Sequence, residues 1–169
     1  MFVPGSTRLD TGDAFPAMTL DLPGVSQLHV PDGFKHPYQV VLLYRGHWCP
    51  YCQAQLRSYQ AGLARLEEEG IGVIAASVDD EAHSASTSES LGLTFPVAHG
   101  LPVVETAQTL GAYYGAALAH TAPYLQSTGF VLGPDRRILV AVYSSGAIGR
   151  LGWQDVVGMV QYAKKSGAA

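Results

Sequence analysis

The chain has 169 residues, 47% of them hydrophobic and 14% charged, with a formal net charge of -4. That length and apolar content are enough for one domain, residues 1–169, whose core needs no covalent staple. A mildly acidic balance without lysine or arginine runs excludes a broad electrostatic footprint for nucleic acid or a membrane surface. No apolar run approaches the ~18 residues of a membrane span, and the opening MFVPGSTRLDTGDAFP lacks the basic start and apolar stretch of a signal peptide. A cytoplasmic protein is expected.

Residues 1–16 carry Pro4, Gly5, Gly12 and Pro16 among polar residues and read as an extended lead-in. Met18 to Leu22 and Gln27 to Val30 read as two short strands around the turn Pro23-Gly24, and Pro31 to Pro37 as loop. Gln39 to Tyr44 is an almost continuous apolar run with β-branched residues, the pattern of a central strand covered on both faces. From Cys49 to Glu69 the spacing changes to threes and fours: Leu56, Tyr59, Leu63 and Leu66 form one stripe, which predicts an amphipathic helix closed by Gly70. Ile71 to Val78 predicts a second buried strand, Asp80 to Leu91 a helix ended by Gly92, and Thr106 to Tyr114 another closed by Gly115. Gly129 to Leu132 and Ile138 to Tyr143 pair as strands through the turn Gly133-Pro134-Asp135-Arg136, and Trp153 to Lys164 makes a last helix with basic residues in its final turn. Alternating strands and helices followed by an antiparallel pair imply an α/β fold, a mixed central sheet flanked by helices with an N-terminal extension. In open sheets of this kind the site lies beyond the carboxyl end of a central strand, where the cysteines stand.

Cys49 and Cys52 are the only cysteines. They are too few for a secreted disulfide framework and too close for a loop staple, which points to redox chemistry. Two thiols one helical turn apart can cycle between dithiol and disulfide. The helix N-terminus favours a thiolate on the first, so Cys49, expected to face solvent, is the candidate nucleophile. Cys52, one turn further in, is the candidate resolving thiol that attacks a mixed disulfide on Cys49 and releases product. Pro50 has no N–H to leave unsatisfied and its fixed φ suits the first helical turn, while Trp48 would supply a flat apolar wall. The alternative, half of a zinc site, needs two further ligands at the right spacing, and the sequence has no second cysteine pair; no cofactor or metal is called for.

The stretch Tyr44-Arg45-Gly46-His47-Trp48-Cys49-Pro50-Tyr51-Cys52 resembles the active site of the thioredoxin superfamily, with the Cys-Pro-Tyr-Cys of glutaredoxins and the preceding Trp of thioredoxins. Other segments resemble the peroxiredoxin-like redoxin (AhpC/TSA) family, in that family's order: Gly12 to Pro16, Gly72 to Asp79, Leu91 to Pro96, Tyr114-Gly115 and Phe130 to Asp135. The resemblance implies a thioredoxin-like fold and an oxidoreductase that reduces hydroperoxides through Cys49, with Cys52 resolving and an external thiol, thioredoxin or glutathione, as reductant. It also makes a homodimer plausible. Two departures stand out. Peroxiredoxins usually place a peroxide-orienting Thr where this chain has Gly46, and an Arg where it has Gln126-Ser127-Thr128. Arg150 is a candidate replacement for that arginine.

Arg45 and His47 flank the cysteines and would hold a thiolate or donate a proton to a leaving group; the alternative is that they are ordinary solvated loop residues. Tyr51 lies between the thiols and lines the site by position. Asp79 and Asp80 fit helix capping better than proton transfer. Ser127 and Thr128 occupy the substrate-binding turn by resemblance, against a plain strand-entry role. Tyr113, Tyr114, Tyr124 and Tyr143 fit core or partner surface better than an apolar rim. Two functions compete with peroxide reduction: thiol–disulfide exchange on protein or small-molecule disulfides, and a non-catalytic redox sensor or binding module.

Overall fold

The computed structural model describes residues 6–24, 26–115 and 122–167. Strands β1 (Met18–Leu22) and β2 (Ser26–Val30) form an antiparallel pair, with Met18 opposite Val30 and Leu22 opposite Ser26. The central sheet has five strands in the order β5-β4-β3-β8-β9, built from β3 (Tyr38–Leu43), β4 (Ile71–Ala76), β5 (Val97–Ala98), β8 (Thr128–Leu132) and β9 (Ile138–Tyr143). β3 runs parallel to β4 and antiparallel to β8, and β9 is antiparallel to β8. The sheet is therefore mixed, as the element order implied.

Every residue of β3 and β4 is buried, because helices or loops cover both faces. Alternation divides the core. Val40 and Leu42 pack with Leu56, Tyr59 and Leu66 of α1 (Pro50–Glu68) and with Val156 and Val160 of α4 (Trp153–Ser166). Val41 and Leu43 pack on the other face with Leu20, Val30 and Phe34, and with Ala107 and Leu110 of α3 (Val103–Leu110). Each such fully buried side chain contributes about 1.5–3 kcal/mol of apolar transfer. α1 and α4 approach closely at Gly62, where a Cβ would stand 2.4 Å from the Trp153 ring. Lys164 of α4 donates to the carbonyl and carboxylate of Glu69, both at 2.8 Å, and anchors the far end of α1.

Most element boundaries agree with the sequence within a residue or two. The expected helix at 106–114 lies instead at Val103–Leu110: the chain turns at Gly111, φ +70, and Tyr114–Gly115 becomes a two-residue strand, β6, paired with β7 (Tyr124–Leu125). Gly111 is the better stop because a Cβ there would meet the backbone of Arg8 at 2.6 Å as well as an unfavourable φ. α2 (Glu81–Leu91) starts from Asp80 and ends at Gly92, as expected. The lead-in, whose first five residues lie outside the described residues, runs beside the start of β9: Gly12 donates to the Ile138 carbonyl and Ile138 to that of Asp13.

This topology gathers four loops at one edge. The register pairs Leu43 with both Ala76 and Thr128, and Thr128 with Tyr143. The segments after β3, β4 and β9, and the one before β8, therefore open on the same end of the sheet.

Candidate active site

Cys49 is the N-cap of α1, with extended φ and ψ of -89° and 111°, and its sulfur takes the place of the usual capping oxygen by accepting from the Cys52 N–H at 3.3 Å. Pro50 occupies the first helical position, where its missing N–H costs nothing. Two guanidinium groups converge from different loops. Arg45 Nη1 and Arg150 Nη2 each stand 3.8 Å from Cys49 Sγ, and Arg150 Nη2 is 3.2 Å from Cys52 Sγ. Cys52 Sγ also accepts from the Arg45 backbone N–H at 3.3 Å.

Both cysteines have no exposed surface, which corrects the expectation of a solvent-facing Cys49. The arginine that reaches Cys49 from its own loop has a cover of Trp48 and Tyr124. Trp48 sets its ring edge-on to Tyr124 with centroids 5.1 Å apart, and the Arg45 guanidinium lies over both rings at 4.9 and 5.0 Å. Arg45 Nη2 donates to the Tyr124 hydroxyl at 3.2 Å. Gln55 orients Arg150 by accepting from Nη1 at 2.7 Å, and Ala147 accepts from its Nε.

Burial, and the hydrogen bond it shares with Cys49, push the Cys52 thiol up to about 11, with Arg150 acting in the opposite direction. A thiol so raised is protonated throughout the neutral range. Iodoacetamide labelling of the reduced protein between pH 6 and 9, read by peptide mass, is accordingly expected to leave Cys52 unmodified in the folded state. Rapid Cys52 labelling below pH 8 would contradict the buried site.

The loop carrying Trp48 is tied down by Asp79, just beyond β4. Its carboxylate accepts from the His47 backbone N–H at 2.8 Å and the Ser77 hydroxyl at 3.0 Å, and lies 3.0 Å from His47 Nδ1. His47 also stacks on His83 of α2, centroids 3.9 Å apart. So His47 works as a tether of the loop, and Asp79 does something other than cap a helix. Asp80 is the cap, accepting from the His83 N–H at 2.8 Å.

Gly46 has φ +146, and a Cβ there would fall 2.6 Å from Trp48 Nε1. The indole thus fills the space a threonine side chain would take. Ser127 and Thr128 are buried at the start of β8, where the Thr128 hydroxyl donates to the Gln126 carbonyl. Tyr51 projects to solvent, half exposed. Among the described residues no cluster of three or more His, Cys, Asp and Glu is placed to hold a metal ion, and no helix is long and apolar enough to cross a membrane.

Sequence reasoning missed Gln55 as a partner of Arg150, the tethering role of Asp79, and Tyr124 as part of the cover. A glutamine in a helical stripe gives no signal, whereas Asp79 stood at the right sheet edge and was read for the wrong job.

A thiol pair at a helix N-terminus, flanked by arginines at the carboxyl edge of a mixed sheet, defines a thioredoxin-fold thiol oxidoreductase. The AhpC/TSA family profile matches residues 11–140, and the chain belongs to that family, whose members are oxidoreductases of the thiol peroxidase type. A Mycobacterium tuberculosis protein named as a peroxiredoxin is 29% identical over 151 residues, covering 86% of this chain and 92% of its own. Among solved structures, a mutant of peroxiredoxin 6 of Arenicola marina superposes with a TM-score of 0.79 at 17% identity, over 94% of this chain and 75% of its own. Reduced Prx3 of Vibrio vulnificus, solved in complex with hydrogen peroxide, gives 0.78 at 13% identity, over 90% and 99%.

Proposed function

We propose that the protein reduces hydroperoxides through Cys49, with Cys52 as the resolving thiol and an external thiol as reductant. The observation that carries this reading is the convergence of Arg45 and Arg150 on the Cys49 sulfur. A sulfur anion there attacks one peroxide oxygen, the O–O bond breaks, and the alkoxide or hydroxide leaves with a proton, giving a Cys49 sulfenic acid. The guanidiniums stabilise charge as it moves from sulfur to the leaving oxygen. Cys52 then attacks Cys49 Sγ. Its thiol proton goes to the departing hydroxide, and water and the Cys49–Cys52 disulfide result.

Thiol–disulfide exchange is the second reading, favoured by Gly46, where the Trp48 indole fills the space of a peroxide-orienting hydroxyl. The test separates them. Reduced protein is mixed with hydrogen peroxide, an organic hydroperoxide or a protein disulfide, and disulfide formation between Cys49 and Cys52 is followed by mass. Oxidation by micromolar peroxide within seconds supports peroxide reduction. Oxidation within hours, with fast exchange on the protein disulfide, assigns the second reading.

A further inference from the structure

We propose that the oxidised site binds an anion, and that the thiol reducing the Cys49–Cys52 disulfide is a small one carrying a carboxylate or sulfonate. The proposal rests on reading Cys49 and Cys52 as a redox pair, but not on peroxide being the oxidant. Its basis is charge. Arg45 and Arg150, both half-buried, converge on the same two sulfurs, and among the described residues neither has a carboxylate within ion-pair distance. Asp155 lines the same cleft as Arg150 without pairing with it, and Asp79 is taken up by His47 and Ser77. The buried Nε of Arg45 has no hydrogen-bond partner.

In the disulfide both sulfurs are neutral, so two half-buried guanidiniums, one with an unsatisfied N–H, have no ion-pair partner among the described residues. Partly desolvated cations without a counter-ion carry a cost, and an entering anion relieves it. Burial also restricts size, because a sulfur with no exposed surface is reached more easily by a small molecule than by a protein's cysteine.

The reduction balances with two such thiols. The first, as thiolate, attacks Cys49 Sγ; the disulfide breaks and its electron pair passes to Cys52 Sγ, which receives a proton. Arg150 Nη2 and the Arg45 N–H already stand against that leaving sulfur. The second thiolate attacks the outer sulfur of the mixed disulfide, releasing the small-molecule disulfide and the Cys49 thiolate.

The full chain, oxidised with diamide, is reduced by 2-mercaptoethanesulfonate, 2-mercaptoethanol or cysteamine, each rate being divided by the same thiol's rate on hydroxyethyl disulfide. The anionic thiol is expected to exceed the cationic one by roughly tenfold or more at low salt, with the neutral thiol between. The order should flatten in 1 M sodium chloride and in Arg45→Gln/Arg150→Gln; the salt series needs no variant to fold. Equal rates, a reversed order, or reduction by thioredoxin where no small thiol succeeds would overturn the proposal. Failure of peroxide to form the disulfide, with the charge order intact on diamide-oxidised protein, would overturn the peroxide reading alone.

Discussion

Cys49→Ser is expected to abolish turnover, by roughly ten-thousand-fold or more, while Cys52→Ser still makes the first attack and then stops. The asymmetry follows from roles: attack needs one nucleophile, release needs a second. In Cys52→Ser exposed to hydrogen peroxide, dimedone should label Cys49 stoichiometrically; with a disulfide substrate, a covalent adduct that reductant releases should accumulate instead. Neither species appearing, together with parent-like turnover of Cys52→Ser, would remove the paired-thiol mechanism.

Gly46→Thr should be the most damaging change near the site that leaves both thiols in place. At φ +146 a side chain is strained whatever the space around it, at a cost of about 1–3 kcal/mol. The new Cβ would also meet Trp48 Nε1 at 2.6 Å and force the indole off Tyr124. A melting temperature lowered by several degrees is expected, together with faster alkylation of Cys49 as the cover loosens. Stability equal to the parent with Cys49 still shielded would show that Trp48 does not hold the space assigned to it.

The sequence made the central strands legible because β3 and β4 are covered on both faces and so read as unbroken apolar runs, and α1 because its stripe is long. β5, β6 and β7 span two residues each, too short for any periodicity. At the site, Cys49, Cys52, Pro50 and Trp48 were visible since they share one local run. Burial of Cys49 was not, because it depends on Arg150 and on core residues such as Val156, brought in from far along the chain. Arg150 could be named only as a candidate, for its contact with Cys49 spans 101 positions and no spacing rule reaches that far.

That separation also orders events during synthesis. The first half of the chain holds both thiols, Arg45, and the two strands that flank the helix start, yet Arg150 follows β9, the edge strand of the sheet. A nascent chain that has not yet emitted residue 150 therefore carries its thiols with one of the two cations. Contacts this distant in sequence form late. The second arginine thus joins the thiols late, and a chain cut short before residue 150 would hold both cysteines with Arg45 alone beside them.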